Sequence, residues 1–214
     1  MTNWTNISAL ATGFGTLVLA VATFAAVRSA NRAARVAERS LLAGLRPLLV
    51  PSRLEDGAQK VYFGDSWHVL LAGGTGVAQV GVDDDNCGVV YLAASLRNAG
   101  NGIAVLHGWR FYPGDYRGDE HPDPETFTRQ TRDLYIAPGD TGFWQGAFRD
   151  PADPAHDAAA KAIANRDPLT VDLLYGDYEG GQRVVSRFLL RPGREDTWLL
   201  SVTRHWNVDR PDPR

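Results

Sequence analysis

LTVDLLYGDYEGGQRVVSRFLLRPGREDTWLLSVTRHW, residues 169–206, reads as three strands joined by two turns. Leu169, Val171, Leu173 and Tyr175 share one face, and the glycine-rich stretch 176–181 reverses the chain. Val184, Ser186, Phe188 and Leu190 then face away from Arg183, Arg187 and Arg191, which predicts that these three arginines are solvated. Pro192 and Gly193 make the next turn, after which Trp198, Leu200, Val202 and Trp206 alternate with Ser201, Thr203 and His205. The pattern is that of an antiparallel meander.

Working upstream, residues 89–112 repeat the logic. Val90, Leu92, Ala94 and Leu96 alternate with Ser95 and Arg97, Asn98-Ala-Gly-Asn-Gly102 supplies a turn, and Ile103, Val105, Trp109 and Phe111 restart the alternation. Further strands are predicted over 48–53, 67–72, 77–82 and 141–149, with a weaker one near Leu134. Asp153 and Pro154 are suited to start a helix through the alanine-rich stretch 158–164, which is expected to pack against the sheet edge. Residues 114–126 read as a long mobile loop, and the Pro- and Asp-rich stretch 209–214 as a disordered tail. About eight or nine strands and one inserted helix predict a mainly β fold over residues 46–208, an antiparallel β-sandwich of immunoglobulin-like type. A closed barrel is the alternative.

The N-terminal end is different in kind. Residues 7–27 carry no charge, and as a helix they span roughly 31 Å, matching a bilayer core of about 30 Å. The leader, residues 1–6, contains no Lys or Arg, so the segment reads as a retained transmembrane anchor and not as a cleaved signal. Arg28, Arg32, Arg35 and Arg39 follow on one helical face of a basic juxtamembrane helix over 28–45, which Pro47 ends. They predict a single-pass protein of the inner (plasma) membrane with its N-terminus outside and its C-terminal domain cytoplasmic. The same arginines are candidates for contact with the membrane surface, at about 1 kcal/mol per charge, or serve as a solvated topology signal. Small residues four apart, among them Ala22, Ala26 and Ala30, permit close helix pairing and hence a homo-oligomer.

Composition narrows the function. A net charge of −3 on 214 residues offers no general attraction to nucleic acid. The single cysteine, Cys87, cannot close a disulfide within the chain and suits a reducing compartment. His68, His107, His121, His156 and His205 form no metal-binding pair, so no metal site and no cofactor is expected. Asp83, Asp84, Asp85 and Asn86 imitate the start of a calcium loop, yet Ala94 stands where an EF-hand needs an acidic residue, and a hairpin turn is the better reading. The glycine turn 73–76 lacks the lysine of a phosphate loop. No serine among Ser52, Ser66, Ser95, Ser186 and Ser201 sits in a nucleophile elbow. Asp115, Asp119, Glu120, His121 and Asp123 occupy one loop and are the remaining acid/base candidates. Trp67, Trp109, Trp144, Trp198 and Trp206 are assigned to core packing, with a surface aromatic platform as the alternative.

The layout resembles a set of uncharacterised bacterial single-pass membrane proteins in which an anchor and a basic helix lead through Arg-Pro into a small β-sandwich. The matching residues are Arg46-Pro47 and the Asn98-x-Gly100-x-Gly102 turn. The resemblance implies that fold and names no substrate, cofactor or catalytic residue. The expected function is a membrane-tethered, non-enzymatic interaction module with the lipid bilayer and a protein as partners. The alternatives are a ligand sensor or component of a defence or secretion assembly, and a hydrolase with a loop-assembled site.

Overall fold

The computed structural model describes residues 3–194 and 196–212, in two units that divide after Gly44. The first is one helix, α1 (Asn3–Gly44), which takes in residues of the leader, the apolar run and the basic extension without a break. It is long and apolar enough to cross a membrane. No side chain from residue 7 to 27 is buried, and the Thr12 and Thr16 hydroxyls donate to the carbonyls of Ser8 and Thr12 at 2.9 and 2.8 Å. These two hydroxyl donors, which an apolar solvent would otherwise strand, are thereby satisfied inside the helix.

The second unit is mostly antiparallel sheet with one short helix. Its strands are β1 (Leu49–Pro51), β2 (Gln59–Tyr62), β3 (His68–Leu71), β4 (Thr75–Val82), β5 (Gly88–Asn98), β6 (Ala104–Pro113), β7 (Thr128–Arg129), β8 (Tyr135–Ile136), β9 (Thr141–Phe148), β10 (Leu169–Gly176), β11 (Val184–Pro192) and β12 (Trp198–Asn207), with α2 (Pro154–Asn165) between β9 and β10. Ten strands form one hydrogen-bonded path, β1-β5-β4-β12-β11-β10-β6-β7, with β9 added to β5 and β8 to β6. Its two halves join at the short β4–β12 junction, Gly76 with Trp198 and Thr75 with Leu199. Either side of that junction the sheet buries its inner faces in one shared core: Leu92 and Trp144 from β5 and β9, Trp109, Leu173 and Phe188 from β6, β10 and β11. Trp109 meets Trp144 and Phe148 edge-on at ring-centroid distances of 5.4 and 5.0 Å. α2, capped by Asp153, presses Ala159 and Ala162 into this core.

Two one-residue irregularities correct the expected faces. The β6–β10 register shifts where Leu174 pairs with Gly108 but Tyr175 pairs with Leu106, leaving His107 over. Ala104 and Leu106 therefore point into the core before the bulge and Trp109 and Phe111 after it, while Ile103 and Val105 do not share their phase. On β12, Arg187 pairs with Arg204 and Phe188 with Val202, leaving Thr203 over. Leu200 and Val202 are inward, but beyond Thr203 it is His205 that turns in and Trp206 that turns out, to pack with Leu174 and Val185. A bulge adds one residue to a period-2 pattern, so every later side chain changes sides.

β5 also departs from the half-buried expectation. Its second face, Val89, Tyr91 and Ala93, is covered by the β2–β3 hairpin through Val61, Phe63 and Leu71. Trp67 stacks on Tyr91 at 4.2 Å, and Asp65 accepts from the Tyr91 hydroxyl at 2.7 Å and from Arg149 at 3.0 Å.

The two sequence features behind the resemblance meet in space. Ala99 and Asn101 donate backbone hydrogen bonds to Leu48 and Arg46, and the buried Asn98 side chain accepts from the Leu48 and Gly100 amides while donating to the Gly102 and Ile136 carbonyls. A Cβ on Gly102 would lie 1.7 Å from the Leu45 carbonyl oxygen, so only glycine lets the chain pass this close. Residues 209–212 are likewise held: Asp209 pairs with Arg183 at 2.8 Å, and Pro211 and Asp212 accept hydrogen bonds from Asn207. The last two residues of the expected tail lie outside the described residues.

Candidate functional sites: an arginine pocket and an open strand edge

Arg187 is not solvated. Cross-strand register places Arg110, Asp172, Arg187 and Arg204 side by side on β6, β10, β11 and β12, on the outer face of the sheet. Arg187 donates from Nε and one terminal nitrogen to both Asp172 oxygens at 2.7 Å, and the two side chains are 3% and 0% exposed. Such a forked pair is what makes burying two charges tolerable. Burial pushes the Asp172 carboxyl above its ordinary range, against the opposing hydrogen bonds from Arg187. Burial acts to lower Arg187, but its bonds to Asp172 prevail and raise it, so it stays a cation.

The cover over this pair is the loop expected to be mobile. Residues 114–126 are tied down at several points: Gly114 donates to Pro168 at 2.9 Å, Tyr116 to the Thr170 hydroxyl at 3.0 Å, and Gly118 accepts from Arg187 at 2.6 Å. Tyr116 stacks on Tyr112 at 4.2 Å, and the Arg187 guanidinium lies 4.6 Å from the Tyr116 ring and 4.7 Å from Trp206. A Cβ on Gly118 would come within 2.2 Å of the Tyr116 hydroxyl, so the loop closes this tightly only with glycine there.

Beside the covered pair lies a cavity of about 290 Å³ whose walls include Arg117, Arg187, Arg191 and Arg204 together with Asp115 and Asp119. Asp115 pairs with Arg117 at 2.9 Å and with Arg191 at 3.3 Å, and Asp119 pairs with Arg204. The Arg117 hydrogen bond and the two guanidinium charges hold Asp115 below the usual carboxylate range.

The acid/base candidates of this loop do not converge. Asp115 and Asp119 are engaged by arginines, Asp123 caps the short 3₁₀ turn Pro124–Thr126 by accepting from the Glu125 amide, and His121 bonds to the Asn207 and Pro122 carbonyls. One serine does meet a histidine: Ser186 Oγ lies 2.6 Å from His205 Nδ1 and 2.7 Å from the Tyr175 hydroxyl, which accepts from the Leu49 amide. Ser186 and Tyr175 are fully buried, and burial pushes the Tyr175 hydroxyl up to about 12; the three side chains form a polar strut between strands. Among the described residues no three His, Cys, Asp or Glu side chains group as metal ligands. Asp83 to Asn86 form the β4–β5 turn, closed by the Asp83 amide on the Cys87 carbonyl at 3.0 Å. Trp109, Trp144 and Trp198 are core residues, Trp67 lies under the hairpin, and Trp206 is buried on the outer face. Arg28, Arg32, Arg35 and Arg39 lie exposed on α1.

The second feature is an edge. Beyond Gly76, β4 pairs only with β5, so among the described residues no strand faces residues 77–82 on the other side. Beside this edge runs a groove of about 820 Å³, walled by Val69, Leu70, Ile163 and Trp198, with Arg166 and Asp196 at its rim. Val80 and Val82 are exposed, and β4 carries neither a charge nor a proline. Sequence reading did not find either feature, because an open edge is a missing partner and the arginine row exists only once four strands are in register.

No known protein family, curated protein or solved structure matches this chain.

Proposed function

We propose that this chain is a membrane-tethered, non-enzymatic interaction module that takes up an extended, largely uncharged segment of a partner protein along β4. α1 crosses a bacterial inner membrane with its arginine flank inside, and the β domain, read as an immunoglobulin-like sandwich because two sheet faces share one core, works on the cytoplasmic side. The carrying observation is the unpaired, charge-free, proline-free edge at residues 77–82. Soluble proteins ordinarily blunt such edges with lysine, proline or a covering element, because free N–H and C=O groups recruit another strand. Strand addition supplies backbone hydrogen bonds, and the groove beside the edge, with Val69, Leu70, Ile163 and Trp198 in its walls, receives alternate side chains of the incoming segment. Tethering raises the domain's effective concentration toward other membrane-bound proteins.

A photoreactive amino acid at Gln79 of the full chain in cells is expected to give a defined protein adduct that is absent when it is placed at the exposed Tyr178. Val80→Lys, which puts a charge on the edge without touching the core, should abolish that adduct. Identical adducts at both positions, or an adduct indifferent to Val80→Lys, refute the reading.

A further inference from the structure

We propose that the arginine pocket beside the 114–120 loop binds a phosphate-bearing small ligand, with Arg191 and Arg204 as its principal contacts and Asp119 as a carboxylate that occupies the site in the ligand's absence. This site is separate from the β4 edge and does not depend on its occupancy.

Charge is the first support. Four guanidinium groups and two carboxylates line the cavity; Asp172 neutralises Arg187, so Arg117, Arg191 and Arg204 face Asp115 and Asp119 with one positive charge in excess. A local excess of positive charge on a chain of net charge −3 concentrates anions in a cleft where solvent cannot fully screen them. Geometry is the second. Arg191 and Arg204 project from β11 and β12 and Arg117 from the loop, so donors approach from three separate elements, which suits a tetrahedral anion better than a planar one. The volume, about 290 Å³, lies at the small end of ligand pockets, which run from about 300 Å³ upward.

Rigidity is the third. Arg187 is locked by both Asp172 oxygens, the Gly118 carbonyl and two aromatic rings, so one wall of the pocket is preorganised. Asp119 is different: its side chain is 85% exposed and pairs with Arg204. Exposed ion pairs are worth about 1 kcal/mol or less, so an incoming phosphate oxygen can displace that carboxylate at small cost. Asp115 bridges Arg117 and Arg191, leaving both guanidinium groups more than half exposed with N–H donors to spare.

The test uses the full chain in phosphatidylcholine nanodiscs, titrated with pyrophosphate by calorimetry. Saturable binding is expected, weakened roughly tenfold or more by Arg191→Gln with Arg204→Gln, the loss of charged hydrogen bonds. Asp119→Asn should tighten binding several-fold, a gain that misfolding cannot produce. Repeating the titration in nanodiscs containing phosphatidylglycerol separates two sources of the same chemistry: loss of the pyrophosphate signal assigns the site to a lipid headgroup, and its persistence assigns it to a soluble phosphate. The proposal fails if neither wild type nor Asp119→Asn binds saturably, or if the double arginine variant binds as wild type does.

Discussion

Two covers lie on the outside of this sheet, and they are held down by different physics. The β2–β3 hairpin covers β5 by burying Val61, Phe63 and Leu71 on Val89, Tyr91 and Ala93, with polar ties at its margin: Asp65 to Tyr91 and Arg149, Arg149 to the Phe63 carbonyl, Arg132 to the Tyr62 carbonyl and Ser66 to Asp84. The 114–120 loop covers β10 and β11 through the Gly118 carbonyl and Tyr116 on Arg187 and through arginine–aspartate pairs. The first cover is stabilised by apolar area, which is non-directional and tolerant of small shifts. The second depends on directed hydrogen bonds and a buried ion pair, which are strong only when every partner is present.

The largest expected effect tests that contrast on the charged side. Arg187→Met should destabilise the domain by about 3–5 kcal/mol, because it strands Asp172 in the interior and releases the loop, and the double variant Asp172→Leu/Arg187→Met should recover most of that loss in chemical denaturation. Equal destabilisation by the single and double variants would mean that the pair acts through the loop alone. On the apolar side, Leu71→Ala should cost about 2–5 kcal/mol with no dependence on salt, since Leu71 is fully buried beneath the hairpin.

The smallest effects are in pH, one at the hairpin and one at the β6 bulge. Burial acts to raise Asp65, but its bonds from Tyr91 and Arg149 prevail and hold it below the ordinary value of 3.8. The folded state therefore binds fewer protons than the unfolded one, and the hairpin's contribution is present above pH 3.8 and lost as pH falls through the lower folded value. His107, the bulge residue of β6, is held below 6.5 by burial and by the Arg183 charge. Stability at the β6 bulge should thus begin to fall as pH drops through 6.5 toward the folded value. Thermal unfolding between pH 7.5 and 3 should show both limbs, with His107→Gln flattening only the upper and Asp65→Asn only the lower.

The difference between the covers also explains what could be read in advance. The hairpin's target was only partly legible: residues 89–94, Val-Val-Tyr-Leu-Ala-Ala, are apolar on both faces, but the alternation with Ser95 and Arg97 that follows reads as a strand buried on one side. The loop's target was not, because Asp172 and Arg187 alternate with core residues just as solvated side chains do, and their burial depends on a loop more than 50 residues away in sequence, as the 54-residue separation of Tyr116 from Thr170 shows. The faces of His205 and Trp206 were misread for a related reason. A bulge at Thr203 depends on how β12 pairs with β11, which no window of one strand contains.

By itself the sequence determined an uncharged helix of bilayer length, most of the antiparallel strands and their turns, though not β2 or β7, and the capped helix α2. These rest on periodicity, charge and turn chemistry, which act over a few residues. Only the tertiary structure decided which side chains face in beyond each bulge, how Arg46-Pro47 closes on the Asn98–Gly102 turn, that Arg187 is buried and ringed by aromatic groups, and that β4 keeps an open edge. Those depend on partners brought together from distant parts of the chain, and the free energy of an ion pair or an unpaired strand edge is set by what lies across from it.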